Sequence, residues 1–236
     1  MKDGKSINQS PLYDPSAKNF YKNRELRFYA DIVYNGSKYR GRSMEFYLPG
    51  GIDSKDGPSG DINSTRTGYT IRKYMDESYR WWETSGYAAT PRVFFRLAEF
   101  YLNYAEAEYH LGNYNIAIEY VNKIRNRVNL PDINSSGTQL LKDIRHERNI
   151  ELVFEGHRFY DARRWMTAGK KFGEDIQGIQ WKYVDNNGNL ESPENGGQLT
   201  YEIFTLLEKS FPERQYYIPI PADEIRRTNL KQNDGY

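Results

Sequence analysis

The stretch HERNIELVFEGHRFYDARRW, residues 146–165, decides how the rest of the chain is read. Glu147, Glu151 and Glu155 recur at every fourth position and so line one helix face. Like charges at that spacing repel, so cations must sit between them. Arg145, Arg148, Arg158, Arg163 and Arg164 are on hand to do so, and Asp161 adds a further acidic group. Leu152, Val153 and Phe154 make the same helix strongly apolar. A helix with so few freely solvated positions buries part of its charge, and buried charge needs partners.

Two sharper readings of the stretch are weaker. A zinc-protease site needs His-Glu-x-x-His; Arg148, Asn149 and Ile150 follow His146-Glu147, and His157 lies beyond a glycine. A glycosidase needs two carboxylates facing each other across a sugar, whereas glutamates on one helix face point in parallel. The pattern therefore favours a structural Arg–Glu network. No metal and no cofactor is expected. No serine elbow, phosphate-binding glycine loop or Walker sequence occurs in the chain.

Outward from this stretch, the preceding residues are clearly helical. In RVFFRLAEFYLNYAEAEYHLG, Arg92, Arg96, Glu99, Asn103, Glu106 and His110 form one narrow polar stripe, and almost every other position is apolar or aromatic. The helix should be nearly surrounded by protein, its stripe meeting solvent along a seam or charged partners. Gly112 ends it, Asn115 is placed to cap the next helix, and Pro131 closes that one. Tyr101, Ala105, Ala117, Val121 and Ile124 match the large and small positions of a tetratricopeptide helix pair. A single pair cannot cover its own apolar face, so a second chain or another segment should supply the missing neighbour.

The flanking regions read as loops and short strands. ELRFYADIVY alternates as a strand would, with Leu26, Phe28, Ala30, Ile32 and Tyr34 on one face. Asn35-Gly36 signals a hairpin turn, and Met44, Phe46 and Leu48 alternate again. Residues 49–68 form a long exposed loop. WKYVDNNGNLES turns at its Asn-Gly, and TYEIFTLLEKS is a short strand or helix. YYIPIPADEIRRTNL is extended, with a helical turn from Asp223 or Glu224. The expected fold is mainly α with minor β: one tetratricopeptide-like pair, further helices, short hairpins and long loops. It forms a single domain over 1–236, with a loop-rich part at 1–90, a helical part at 91–168 and a hairpin and extended part at 169–236.

Composition narrows the function. The chain has 33 Lys plus Arg against 32 Asp plus Glu, so bulk charge gives no reason to expect nucleic acid as a partner. It has no cysteine, which excludes disulfides, thiolate metal sites and a cysteine nucleophile. No apolar run approaches the ~18 residues that span a bilayer, and MKDGKSINQS lacks the apolar core of a signal peptide. Its 21 tyrosines and 4 tryptophans supply flat apolar faces with polar handles, suited to sugar-like ligands and to interfaces.

Four motifs resemble the SusD/RagB family. ERNIELVFEGHRFYDARRW is similar to its ERRxELxFEGHRxxDLRRW pattern. RLAEFYLNYAEAEYHLGNYNIAIEYVNKIRNRVNLPDI, TGYTIRKYM and the terminal IPIPADEIRRTNLKQNDGY are similar to its other conserved elements, in the same order. Asn149, Ala162 and Asp234 depart from the usual Arg-type, Leu and Pro positions. Family members are typically about twice as long, and this chain resembles their carboxyl-terminal half. The resemblance implies a non-catalytic glycan-binding lipoprotein on the extracellular face of a Bacteroidetes-type outer membrane. Such a protein passes oligosaccharides, or in some members peptides, to a SusC-like TonB-dependent transporter.

The family motifs carry no binding residue, so ligand-site candidates come from the loops. A pyranose stacks its C–H face on an aromatic ring, and its hydroxyls need nearby polar groups. Tyr39, Phe46, Tyr47, Trp81 and Trp82 meet that description. Trp81-Trp82 is the strongest pair, flanked by Asp76, Glu77, Arg80 and Glu83; alternatively one of the two fills the core, since neighbours in a strand face opposite ways. Two other functions compete with glycan capture: a tetratricopeptide-like scaffold for a protein or peptide, and, ranked last, an enzyme acting on polysaccharide.

Overall fold

The computed structural model describes residues 1–14, 21–58, 60, 64–79, 90 and 93–236. Three helices form its centre. Helix α2 (Leu97–His110) and helix α3 (Tyr114–Arg127) are antiparallel, joined through Gly112, and α4 (Gly137–Glu151) packs across both. Ala105 and Ala117 let the backbones approach, and Val121, Leu140 and Ile144 close the contact. All five are fully buried. A second cluster of Leu102, Ile124 and Leu152 joins the ends of the three helices. After α4 the chain breaks at Gly156, whose φ of 84° is a left-handed conformation that suits a residue without Cβ. It then enters α5 (His157–Arg164) and α6 (Ala168–Phe172).

Three small sheets flank the helices. Strand β1 (Ile32–Tyr34) pairs antiparallel with β5 (Tyr69–Ile71). Strands β2 (Lys38–Tyr39) and β3 (Arg42–Ser43) form a short hairpin. Strand β4 (Tyr47–Leu48) lies parallel to β6 (Ile176–Val184), which pairs antiparallel with β7 (Gln198–Leu207). The β6–β7 connection turns at Asn187-Gly188 and again through Asn195-Gly196. Helix α7 (Ala222–Thr228) follows the proline-rich extended segment.

Trp181 on β6 anchors the sheet side. It is 2 % exposed, its indole N–H donates to Tyr21 Oη at 2.9 Å, and Tyr21, Ile179 and Tyr201 pack around it. Burial pushes the Tyr21 hydroxyl far above its ordinary pKa, so this phenol stays protonated.

Four local expectations fail for physical reasons. Residues 26–31 form helix α1 (Leu26–Asp31) instead of the start of a strand. The core takes Arg27 and Asp31 from this segment, four residues apart on one helix face, and leaves Leu26 half exposed at 52 %. The hairpin turn falls at Arg40-Gly41, whose φ values of 50° and 85° fit a type I′ turn. Asn35-Gly36 makes a turn too, but β1 leaves it to pair with β5. Asn113, not Asn115, is the cap position of α3, and its side chain donates to Glu108 at 2.6 Å. Helix α2 is not surrounded by protein: Phe100 and Leu111, with Phe94 and Phe95 just before the helix, are 56–74 % exposed. Helices α3 and α4 cover only one side of it.

Candidate functional site

The glutamate ladder is a closed ion network. Glu147, 1 % exposed, accepts from Arg27 at 2.6 Å and from Arg125 at 2.9 Å. Glu151, 2 % exposed, accepts from Arg27 at 2.9 Å, Arg96 at 2.5 Å and Arg127 at 2.8 Å. Glu155, in the turn after α4, accepts from Arg96 at 2.7 Å and Lys73 at 2.8 Å. Burial opposes the charge on Glu151 and Glu155, but hydrogen bonds from Arg96 to both, from Arg27 to the first and from Lys73 to the second outweigh it. Both carboxyls are held below the ordinary carboxylate range. Arg27 mirrors them: burial opposes its charge, and Glu147 and Glu25 hold its pKa above the usual value. Asp31 differs. Burial raises its pKa despite Lys73 at 3.7 Å, because Glu151 and Glu155 crowd it with like charge.

A second, smaller network ties α2, α4 and α5 together. Arg148 donates to Asp161 at 2.7 Å and to Asn103 at 2.6 Å. Arg164 bridges Asp161 at 2.9 Å and Glu106 at 2.6 Å, and the Trp165 indole N–H donates to Glu106 at 2.6 Å. The polar stripe of α2 therefore meets charged partners: Arg96, Asn103 and Glu106 are each bonded across to the 148–165 segment.

The cations on the ladder are not the ones its own segment offers. Among the described residues Arg145, Arg158 and Arg163 join no ion pair. Arg145 lies over the Trp165 ring at 4.9 Å, and Arg163 over Phe159 at 3.6 Å. The ladder is instead filled by Arg27 from α1, Lys73 after β5, Arg96 before α2, and Arg125 and Arg127 from α3. An arginine from its own segment would have to fold back along the helix, whereas packed neighbours point straight in. Sequence reasoning named Arg96 only as part of a polar stripe that could meet charged partners, and missed the other four. The only available signal was indirect: Lys73 and Arg96 fall within the recurring motifs, as do Arg125 and Arg127.

Chemically, this arrangement ties the helices and their flanking segments together through paired charges. Glu147 and Glu151 are buried, and each accepts from two or more cations. Among the described residues no group of three or more His, Asp and Glu side chains is placed to hold a metal ion.

The loop aromatics fare differently from one another. Phe46 is 5 % exposed and packs with Val33 and Met44 as core, because residues 44 and 46 share the inward face. Its ring is a wall of the fold and not an open stacking platform. Tyr39 is half-buried on β2, with the Arg40 guanidinium 5.3 Å from its ring centre. Tyr47 is half-buried, edge-to-face with Tyr183 at 4.9 Å and opposite Trp181 in the β4–β6 register. Tyr39 and Tyr47 thus sit on different sheets. Trp81 and Trp82 lie outside the described residues, as do Arg80 and Glu83. Of their flanking groups, Asp76 accepts from Ser78 at 2.6 Å and Glu77 from Arg72 at 2.6 Å.

Comparison with known proteins places this architecture. The SusD family model matches residues 1–236. A SusD-like protein of Formosa agariphila is 38 % identical over 106 residues, which cover 42 % of this chain and 19 % of that protein. The crystal structure of a SusD-like protein from Bacteroides fragilis is 33 % identical, with a TM-score of 0.77, over 99 % of this chain and 43 % of that one. A SusD-like carbohydrate-binding protein from the same species is 27 % identical, with a TM-score of 0.67, over 95 % of this chain and 44 % of that one. The chain thus spans less than half the length of these relatives. With a family match along its whole length and the same architecture, the chain belongs to the SusD family.

Proposed function

We propose that the chain contributes to a non-catalytic glycan-binding protein at the extracellular face of the outer membrane, handing oligosaccharides to a SusC-like TonB-dependent transporter. The observation that carries this reading is the shared fold with the SusD-like carbohydrate-binding protein of Bacteroides fragilis. The absence of a task for the glutamates other than pairing supports the non-catalytic part. Among the described residues no helix is long and apolar enough to cross a membrane, so attachment at the surface rests on other segments or on the transporter. Tyr39 and Tyr47, with Trp81 and Trp82, are the proposed stacking aromatics.

The test is titration of the chain with a broad oligosaccharide panel, read by tryptophan emission and calorimetry, beside an assay of reducing-sugar release over hours. Saturable binding without release is expected. Release of new reducing ends would replace the reading with an enzyme. Binding of peptides but of no glycan would favour the scaffold, which the exposed aromatic face around α2 is shaped to serve.

A further inference from the structure

The loop between β4 and β5 carries a pocket that the ladder and the family motifs leave unused. It holds about 120 Å³. Phe46, Ile179, Phe204 and Leu206 form its apolar wall; Ser54, Lys55, Asp56, Arg66 and Gln180 form the polar one. The polar wall is fixed in place. Arg42 grips Asp53 through two hydrogen bonds, of 2.7 and 2.5 Å, and Asp53 accepts from the Glu45 amide at 2.8 Å. Backbone bonds from Ser54 N to Gly51 O at 3.2 Å and from Gly57 N to Ser54 O at 3.0 Å turn the loop. On the opposite side the Ile179 amide donates to Thr67 O at 3.0 Å, which holds the Arg66 segment against β6.

Three features point to a ligand. Ser54 is 3 % exposed, yet its Oγ has no hydrogen-bond partner. Buried hydroxyls are nearly always paired, because an unpaired one loses its water and gains nothing. Gln180 turns its Nε2 toward the carbonyls of Phe46 and Trp181, at 3.4 and 3.0 Å, which leaves its Oε1 as an acceptor. Lys55 and Arg66 are exposed at the rim, and among the described residues neither is engaged by an ion pair, a hydrogen bond or a ring. Asp56 supplies one opposing charge, so the rim is left with a net positive charge.

We infer that this pocket takes a single acidic sugar unit: a pyranose ring bearing a carboxylate or a sulfate ester. The inference rests on the glycan-binding reading and names the kind of unit recognised. Phe204 and Leu206, the more exposed part of the apolar wall, suit the C–H face of the ring, Ser54 Oγ and Gln180 Oε1 suit its hydroxyls, and Lys55 and Arg66 suit the anion. The size fits one unit and not a chain, since pockets that enclose larger ligands run to roughly 300–1,000 Å³. A longer glycan would place one residue here and continue over the surface.

The test is titration of the isotope-labelled full chain with glucuronic acid, glucose 6-sulfate and glucose. The amide signals of Ser54 and Lys55 and the side-chain amide of Gln180 are followed. One or both acidic sugars should shift these signals saturably and more weakly as salt is raised, and glucose should need a far higher concentration. Comparing the two acidic sugars separates a carboxylate site from a sulfate site. Lys55→Gln and Arg66→Gln, both at exposed positions, should each weaken acidic-sugar binding by roughly tenfold with an unchanged Tm. Ser54→Ala should weaken all ring binding by a smaller factor.

Glucose binding as tightly as the acidic sugars, or no effect of either cation substitution, overturns the assignment. If neutral oligosaccharides still titrate in that case, the glycan-binding reading stands without it. If no sugar of either kind binds, both fail. Acidic-sugar shifts at Ser54 without any oligosaccharide binding would uphold the pocket and overturn the wider reading.

Discussion

The helical side and the sheet side of this molecule use charge in opposite ways. Around α4, Glu147, Glu151 and Glu155 meet five cations from four other segments, and none is left over. On the loop between β4 and β5, Lys55 and Arg66 stand exposed and, among the described residues, unengaged, beside a buried hydroxyl with no partner there. The residues that dominate the sequence to the eye are therefore spent inside the fold. Those available to a ligand sit in a Gly- and Ser-rich loop that reads as featureless. Removing a charge from the first region should cost stability, and removing one from the second should cost binding.

The largest expected effect follows from Glu151→Ala. It strands Arg27, Arg96 and Arg127, of which Arg27 is buried. Breaking a buried pair from one side costs about 3–5 kcal/mol, which urea unfolding would register as a drop in midpoint with little change in slope. A wild-type midpoint would mean that water reaches these groups and would erase the contrast between the two regions.

Acid should act next, in a direction fixed by the shifted carboxyls. Glu151 and Glu155 titrate lower in the folded chain than in the unfolded one. Their stabilisation is therefore complete above the unfolded value, roughly pH 4.3, and is lost as pH falls through their lowered folded values. Asp31 opposes this: its raised folded pKa means that its charge destabilises at neutral pH, and that cost disappears in acid. Two bonded glutamates against one aspartate give a net loss of stability below about pH 4. A melting temperature that stays flat down to pH 3 would contradict the pairing.

Smaller effects sharpen the comparison. Arg158→Ala should cost far less than Glu151→Ala, about 0.5 kcal/mol, because among the described residues half-buried Arg158 joins no ion pair although it lies within the signature stretch. Asp31→Asn should leave the neutral-pH melting temperature equal or slightly higher, since it removes a charge that burial disfavours. Thermal melts of the two variants check both, and a large loss in either would show a partner that the fold assigns elsewhere.

Much of the helical side was legible in the sequence because its signals are periodic. The four-residue spacing of the glutamates gave their common face, and Ala105, Ala117, Val121 and Ile124 gave the helix pair. What was not legible was who pairs with whom. Arg27 sits in a segment whose apolar residues alternate like a strand, and only the folded chain shows that the core takes its guanidinium. Phe46 was read as a loop aromatic near polar groups, yet the inward face it shares with Met44 makes it core. The β4–β5 pocket left no periodic trace at all. Its walls come from positions more than a hundred residues apart, Ser54 and Gln180 among them.

The most direct test of the division between the two regions is a glycan titration of Glu147→Gln beside the wild type, at a temperature where circular dichroism shows both folded. Glu147 is buried and bonded by Arg27 and Arg125. The variant should melt at a lower temperature and bind the same oligosaccharides with the same affinity. Lost affinity in a variant that melts like the wild type would place the ligand at the glutamate ladder, against this account.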